Sequence, residues 1–231
     1  MLLSRRHMIQ AGAAGGALTL LPSSLLAQVA EPVSRIRPDR DSVSAYRPYT
    51  VPATARASAD PVIDRRLLAR ARASFDRHRN SLRDIDVVGI VDFSKASAES
   101  RFFLLDTNSG RVTRHLCAHG RGSDPQHTGF LQSFSNRPGS VATSNGAYVT
   151  SEYYPGRYGR SMRVRGLDYS NSNAEARAIV VHSAWYAEPQ VAMVQGRLGR
   201  SEGCFALSYQ SLQETLARLG PGHFIYADRL A

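Results

Sequence analysis

The chain has 231 residues, of which 42% are hydrophobic and 21% charged, enough for one domain with a sizeable core plus terminal extensions. Its formal net charge is +10, from 29 Lys and Arg against 19 Asp and Glu. Such a charge favours an anionic partner, whether nucleic acid, an anionic membrane or a polyanionic polymer. No run reaches the roughly 18 uninterrupted apolar residues of a membrane-spanning helix, so the composition argues against an integral membrane protein.

The first thirty residues have the pattern of an export signal. The adjacent pair Arg5-Arg6 precedes a weakly apolar run of Ala, Gly and Leu, and small residues then offer cleavage after Ala27 or Ala30. We interpret residues 1–30 as a twin-arginine signal peptide. The alternative is a general secretory signal with a chance arginine pair. Both predict a periplasmic protein without a stable membrane span after cleavage, and both argue against nucleic acid as a partner.

The segment that follows predicts a tether and then a folded domain. Residues 31–59 are rich in Pro, Ser, Arg and Asp without periodicity, which is typical of a flexible linker. A domain is predicted over 60–231. Asp60 and Pro61 are the expected N-cap and first residue of an amphipathic helix over 61–79. Its apolar residues at helical spacing are Ile63, Leu67, Ala71 and Phe75.

From residue 85 the pattern changes to that of β-strands. Predicted strands cover 85–93, 101–106, 111–118, 147–151, 161–167, 178–183 and 223–227. Thr107–Gly110 predicts a hairpin turn, and the Gly-rich and Ser-rich segment 119–146 a long functional loop. Two short helices are expected at 188–198 and 208–219, the second beginning at Ser208. The pattern predicts a mainly β fold, a β-rich α+β domain with helical decoration.

Two cysteines, Cys117 and Cys204, remain after the predicted cleavage. An even number in an exported protein raises the possibility of a disulfide. A single pair is a poor framework for a domain of this size, however. Cys117 lies in an alternating strand pattern and is expected to pack as a small apolar residue, so we expect two free thiols.

The segment around Cys204 has the pattern of a nucleophile. A predicted strand ends at His182-Ser183, and a Gly-rich turn later presents Cys204 after Gly203. A cysteine attacks as its thiolate, and an imidazole is a common base for it. Gly203 would let backbone N–H groups point into one concavity that binds an oxyanion. The alternative is a buried structural thiol and a core histidine.

These motifs resemble the L,D-transpeptidase catalytic domain, the YkuD-like fold, whose signature is a His followed downstream by Ser/Thr-His-Gly-Cys. The chain is most similar to a proteobacterial branch described as murein L,D-transpeptidase catalytic domain proteins. The resemblance covers about residues 85–228. The matching segments are Ala118–Ser123, Ser144–Tyr148, Asn171–Ala174, Val181–Tyr186 and Gly199–Cys204.

Two features depart from the wider family. Glu202 replaces the histidine before Gly-Cys, so a second imidazole does not assist the thiol. The interval between His182 and Cys204 is also longer than usual. Both leave the nucleophile and the base in place, and both make the balance between transfer and hydrolysis an open question.

The resemblance implies a β-sandwich with a few peripheral helices and a thioester mechanism on peptidoglycan tetrapeptide stems. It implies Cys204 as nucleophile, His182 as general base, Ser183 as the carbonyl that orients the His182 ring, and Gly203 with Cys204 as oxyanion donors. Another oxyanion donor is expected from the Ser144–Tyr148 loop. No metal or organic cofactor is implied, and the oligomeric state is left open.

Five residues are candidates for binding the substrate. Arg200 is expected to contact a substrate carboxylate, with Arg121 as a weaker candidate; for each the alternative is a solvated surface arginine. Trp185 and Tyr148 are expected to line the cleft. His119 is expected either to line it or to stabilise its loop by a hydrogen bond.

Three functions are compatible with these residues. The leading hypothesis is L,D-transpeptidation that forms cross-links with an amine acceptor. The same Cys and His are compatible with an L,D-carboxypeptidase or a hydrolase of peptidoglycan-linked peptides. A non-catalytic cell-wall-binding module that keeps the fold is the alternative of another class.

Overall fold

The structure is a computed structural model that describes residues 62–230. The predicted signal peptide and linker lie outside the described residues. The three α-helices of the described part are α1 (Arg65–His78), α2 (Pro189–Gln195) and α3 (Tyr209–Arg218). Its strands are β1 (Val87–Asp92), β2 (Phe102–Asp106), β3 (Val112–His115), β4 (Gly146–Gly156), β5 (Gly159–Gly166), β6 (Val180–Ser183), β7 (Phe205–Leu207) and β8 (Phe224–Asp228).

The strands form one mixed sheet in the order β3-β2-β1-β8-β4-β5-β6-β7. The pairs β1–β8 and β6–β7 are parallel, and the other neighbours are antiparallel. Shortly after β3, Ala118 forms an antiparallel bridge with Ala206 of β7. Because this bridge joins the two ends of the strand order, the sheet curls until its halves face each other. The predicted β-rich α+β fold is confirmed.

Alternating residues of the sheet enter two cores. Val87, Val91 and Ile225 face the inner core, which also contains residues of β5, β6 and β7 and is covered by α3. Val88, Ile90 and Phe224 face the other core, which α1 covers. Each fully buried Leu, Ile, Val or Phe contributes about 1.5–3 kcal/mol. The period-two alternation of the strands therefore stabilises both faces of the sheet.

Helix α1 begins later than the sequence predicts. Its N-cap is Asp64, whose Oδ1 accepts a hydrogen bond from the backbone N–H of Arg66 at 2.7 Å. The predicted cap Asp60 is therefore wrong, because a second Asp four residues on makes the capping bond. The predicted apolar face is confirmed: Ile63, Leu67 and Ala71 are buried and Phe75 packs beside them.

Among the remaining elements, β7 was not predicted, and β3 and α2 each end three residues before their predicted ends. Helix α3 starts as expected after Ser208, whose Oγ accepts from the N–H of Ser211. Strand β4 runs five residues beyond the predicted end, to Gly156, past a register shift between Thr150 and Tyr153. It therefore forms a long hairpin with β5, and the tip of this hairpin reaches the candidate site. No α-helix among residues 62–230 is long and apolar enough to cross a membrane.

Candidate active site

Strands β6 and β7 bring His182 and Cys204 to one edge of the sheet. Their parallel register pairs His182 with Ala206, and Cys204 stands two residues before Ala206, where β7 is about to begin. The pairing of β6 with β7 therefore brings Cys204 close to the end of β6 that carries His182. No hydrogen bond joins the two side chains within residues 62–230. The Cys204 thiol instead contacts the carbonyl oxygen of Ala178, at 3.6 Å.

The turn before Cys204 is closed by the hydroxyl of Ser201. Ser201 Oγ accepts from the N–H of Gly203 at 3.2 Å and donates to the carbonyl of Cys204 at 2.7 Å. In this structure the Gly203 N–H donates to Ser201, so its expected role as an oxyanion donor stays a prediction. Gly203 is needed for another reason. Its φ is +119°, and a Cβ there would lie 2.7 Å from Ile179 Cδ1 and 2.8 Å from the carbonyl oxygen of Ala142.

The Gly-rich loop after β3 holds this turn from the other side. The N–H of Ser201 donates to the carbonyl of His119, and the N–H of Arg121 donates to the carbonyl of Ser201, both at 2.8 Å. Arg200 Nη1 donates to the carbonyls of Asp124 and Pro125. The Arg200 guanidinium thus anchors the loop through Nη1, and its predicted contact with a substrate carboxylate stays a prediction.

A cleft of about 330 Å³ opens beside Cys204. Its lining residues are Pro138, Gly139, Val141, Ala176, Arg177, Ala178, Glu202 and Cys204. Val141 and Ala178 adopt positive φ values of 48° and 53°, which are uncommon for side chains with a Cβ and concentrate at functional sites. The cleft therefore combines the partly exposed Cys204 with strained backbone on two sides.

Two charged side chains belong to this cleft. Arg177 donates to the carbonyls of Ser135 and Ala142, so its guanidinium holds the cleft wall together. Glu202 is largely exposed and forms an ion pair with Arg121 at 3.3 Å. Arg121 is therefore placed at the rim of the cleft. The sequence pattern did not identify Arg177, because an arginine in a polar loop carries no signal of its role.

Burial favours the neutral forms of both candidate catalytic groups. It lowers the pKa of His182, while the hydrogen bond to Ser183 acts in the opposite direction. It also raises the pKa of the Cys204 thiol; the Val180 N–H and the Arg177 charge oppose this shift and the Glu202 charge adds to it. Cys204 remains partly solvent-accessible although protein surrounds it on most sides. The resting pair is thus thiol and neutral imidazole, not thiolate and imidazolium.

The ring of His182 is fixed by its own strand. Nδ1 lies 2.8 Å from the carbonyl oxygen of Ser183, which only accepts, so Nδ1 carries the proton and Nε2 is left as the basic nitrogen. The Tyr158 ring stacks on the imidazole, with 5.8 Å between centroids and 17° between planes. No sequence pattern indicated Tyr158, because it lies at the hairpin tip, far from His182 along the chain.

Two further candidates for substrate binding are buried. Tyr148 is fully buried; its hydroxyl donates to the carbonyl of Ser144 at 2.7 Å and its ring packs on Phe205. Its predicted place in the cleft is wrong, because the Tyr148 side chain points from β4 into the inner core. His119 is 1% exposed; of its two predicted roles the loop-stabilising hydrogen bond is the one observed, and Arg101 Nη2 donates it to His119 Nδ1. Trp185 is 69% exposed, directly after β6, and remains available to a substrate.

A buried arginine supports the loop that carries His119. Arg101 is fully buried and donates to the carbonyl of Cys117 at 2.7 Å, to that of Lys95 at 3.0 Å, and to His119 Nδ1 at 2.7 Å. Its guanidinium also lies 5.0 Å from the centre of the Phe93 ring. Burial lowers the pKa of Arg101 to about 10. The sequence pattern indicated only an ordinary strand end at Arg101.

Residues 62–230 contain neither a disulfide nor a candidate metal site. Cys117 is buried in the inner core, and both cysteines are free thiols. Across residues 62–230, no group of three or more His, Cys, Asp and Glu side chains is arranged to hold a metal ion.

A second groove, of about 520 Å³, lies under α1 and is lined mainly by apolar residues such as Phe75 and Phe224. It contains none of the candidate catalytic residues, so the cleft at Cys204 is the candidate site.

Several solved structures are distantly similar to this chain. No curated protein sequence matches the chain. Among solved structures, an L,D-transpeptidase from Mycobacterium smegmatis is 17% identical with a TM-score of 0.37, covering 62% of this chain and 58% of that one. One from Xylanimonas cellulosilytica is 15% identical with a TM-score of 0.39, covering 68% of each chain. One from Mycobacterium tuberculosis is 16% identical with a TM-score of 0.35, covering 62% and 57%.

The chain thus spans less than two thirds of the M. smegmatis protein. The family model of the L,D-transpeptidase catalytic domain matches residues 59–227, which is most of the chain and includes both His182 and Cys204. The chain belongs to the L,D-transpeptidase catalytic domain family.

Proposed function

We propose that this protein is an exported cysteine L,D-transpeptidase that acts on peptidoglycan tetrapeptide stems. The observation that supports it most is the placement of Cys204 in an open cleft, directly before the strand aligned with His182. The Nδ1–H of His182 is held by the Ser183 carbonyl, so Nε2 is the nitrogen that accepts a proton. The match to the L,D-transpeptidase catalytic domain supports the proposed reaction class.

In the first half-reaction the Cys204 sulfur attacks the carbonyl carbon before the terminal D-Ala of the stem. Because burial raises the pKa of the thiol, His182 Nε2 takes the thiol proton as the C–S bond forms. The backbone N–H of Cys204 donates to the oxyanion. The N–H of Gly203 is not assigned this role, because it donates to Ser201 Oγ. The C–N bond then breaks, His182 returns the proton to the departing amine, and D-Ala leaves a thioester.

In the second half-reaction an amine of a neighbouring stem attacks the thioester. His182 accepts the proton that the amine loses and returns it to the sulfur, so the thiol is regenerated and an amide cross-link forms. The chemistry needs no redox partner. The exposed Trp185 after β6 provides a wall for the stem, and the net charge of +10 favours a substrate that carries several carboxylates. Export by the twin-arginine route is part of the same proposal and depends on Arg5 and Arg6.

The experiment is product analysis by mass spectrometry after incubating the purified protein with disaccharide tetrapeptides. Transpeptidation predicts cross-linked dimers, and the Cys204→Ala variant, as the matched control, should give none. Tripeptide monomers without dimers would replace the proposal by an L,D-carboxypeptidase. Unchanged tetrapeptide would favour the non-catalytic wall-binding module.

A further inference from the structure

The tip of the β4–β5 hairpin lies against the candidate base. Arg157 and Tyr158 connect Gly156 to Gly159 at this tip. The Tyr158 ring stacks on the imidazole of His182 almost in parallel, at a centroid distance of 5.8 Å. The Arg157 guanidinium carbon lies 5.5 Å from the centre of the same tyrosine ring. One face of the imidazole therefore has an offset aromatic ring against it, from a residue remote from the family signature.

Ser183 forms hydrogen bonds with both the hairpin tip and His182. Its hydroxyl donates to the carbonyl oxygen of Tyr158 at 2.9 Å, and its own carbonyl accepts from His182 Nδ1 at 2.8 Å. The side chain of Ser183 thus holds the hairpin tip while its backbone holds the edge of the imidazole. Rotation of the imidazole would break the hydrogen bond and the stacking together.

We propose that Tyr158 is a positioning residue for His182, holding the imidazole in the single orientation that leaves Nε2 as the base and keeping water from one of its faces. The inference deepens the proposed function and rests on it. A ring locked by stacking on its face and by a hydrogen bond at its edge spends little time in unproductive orientations. Tyr158 contributes no atom to the reaction and acts only through His182.

The effect of Tyr158 on the protonation of His182 follows from burial. Burial is the main cause that lowers the pKa of His182, and the Ser183 contact opposes it; no charged side chain among the described residues contributes. The ionisable groups on the surrounding elements are Cys204, Arg163, Arg157, Tyr158, Tyr186 and Tyr209. Removing the stacked ring should therefore change the hydration of His182 without removing a charge.

The test is a titration of the His182 imidazole by nitrogen-detected NMR, with the signal assigned by its loss in His182→Gln. In Tyr158→Ala the pKa of His182 should rise toward the ordinary value of an exposed imidazole, and in Tyr158→Phe, which keeps the stacked ring, it should stay where it is. Tyr169→Ala removes a tyrosine that is 94% exposed and should also leave it unchanged. Where Tyr158→Ala does not fold, Tyr158→Leu replaces it as an apolar side chain that does not stack.

The titration separates this inference from the proposed function because it needs no turnover. An unchanged pKa in Tyr158→Ala, or an equal shift in Tyr158→Phe, would overturn the positioning role even if the enzyme is active. In an active enzyme the acid limb of the kcat/KM profile should move to higher pH in Tyr158→Ala and be restored in Tyr158→Phe. A shift in the titration without any product from tetrapeptides would support the contact and refute the activity.

Discussion

Replacing Gly203 by alanine tests how tightly the turn before Cys204 is built. The residue has φ +119°, a conformation that costs a residue with a Cβ about 1–3 kcal/mol. The new methyl group would also lie 2.7 Å from Ile179 Cδ1 and 2.8 Å from the Ala142 carbonyl oxygen. Overpacking of this kind costs about 1–3 kcal/mol more. We therefore expect Gly203→Ala to lower the free energy of unfolding by about 2–6 kcal/mol.

The assay is urea denaturation followed by circular dichroism, with Gly196→Ala as the matched control. Gly196 has φ +67° at the end of α2, and a Cβ there would have no heavy atom within 4 Å. The control thus carries the conformational cost, roughly 1–2 kcal/mol, without the steric one. Equal destabilisation by the two substitutions would refute the close packing around Gly203. A change in the m-value would instead point to an altered unfolded state.

Three further predictions concern protonation and reactivity. Because the Glu202 charge raises the pKa of the Cys204 thiol, Glu202→Gln should lower it, measured as the pH dependence of alkylation by iodoacetamide. In native protein, alkylation should modify Cys204 and not Cys117, which is fully buried and whose pKa burial raises to about 12. Burial also lowers the pKa of His119 to about 3. As the pH falls, the unfolded protein therefore binds a proton at His119 before the folded protein does. The free energy of unfolding should fall between pH 6.5 and 3, and less steeply in His119→Gln.

Each of these predictions has a clear contrary outcome. Glu152→Gln removes an exposed carboxylate paired with Arg163 and should leave the alkylation profile unchanged; an equal effect would make the Glu202 result a general charge effect. Modification of Cys117 at the rate of Cys204 would contradict its burial. An identical pH slope in His119→Gln would show that His119 is not a source of the acid sensitivity.

Local patterns of the sequence were enough to predict most elements of the fold. The 3.6-residue spacing of Leu67, Ala71 and Phe75 identified the buried face of α1, and Ser208 identified the start of α3. These signals work because capping and periodic burial depend on residues close together in the chain. The cap of α1 was misassigned because two Asp residues four positions apart both suit an N-cap, and Asp64 is the one that makes the capping bond.

The parts of the site that depend on long-range contacts were not predictable. The stacking of Tyr158 on His182 requires the register of the β4–β5 hairpin, which extends past a bulge. The burial of Arg101 requires that the Gly-rich loop close over the start of β2. The role of Gly203 was predicted from its lack of a side chain, but only the structure shows that its N–H is bound to Ser201.

The most direct test of the account is intact-mass spectrometry after incubation with a carbapenem, followed by peptide mapping of any adduct. The account predicts one covalent adduct on Cys204, retained in Cys117→Ala, absent in Cys204→Ala and formed more slowly in His182→Gln. An adduct that persists in Cys204→Ala, or a native protein that never forms one, would contradict the assignment of Cys204 as the nucleophile.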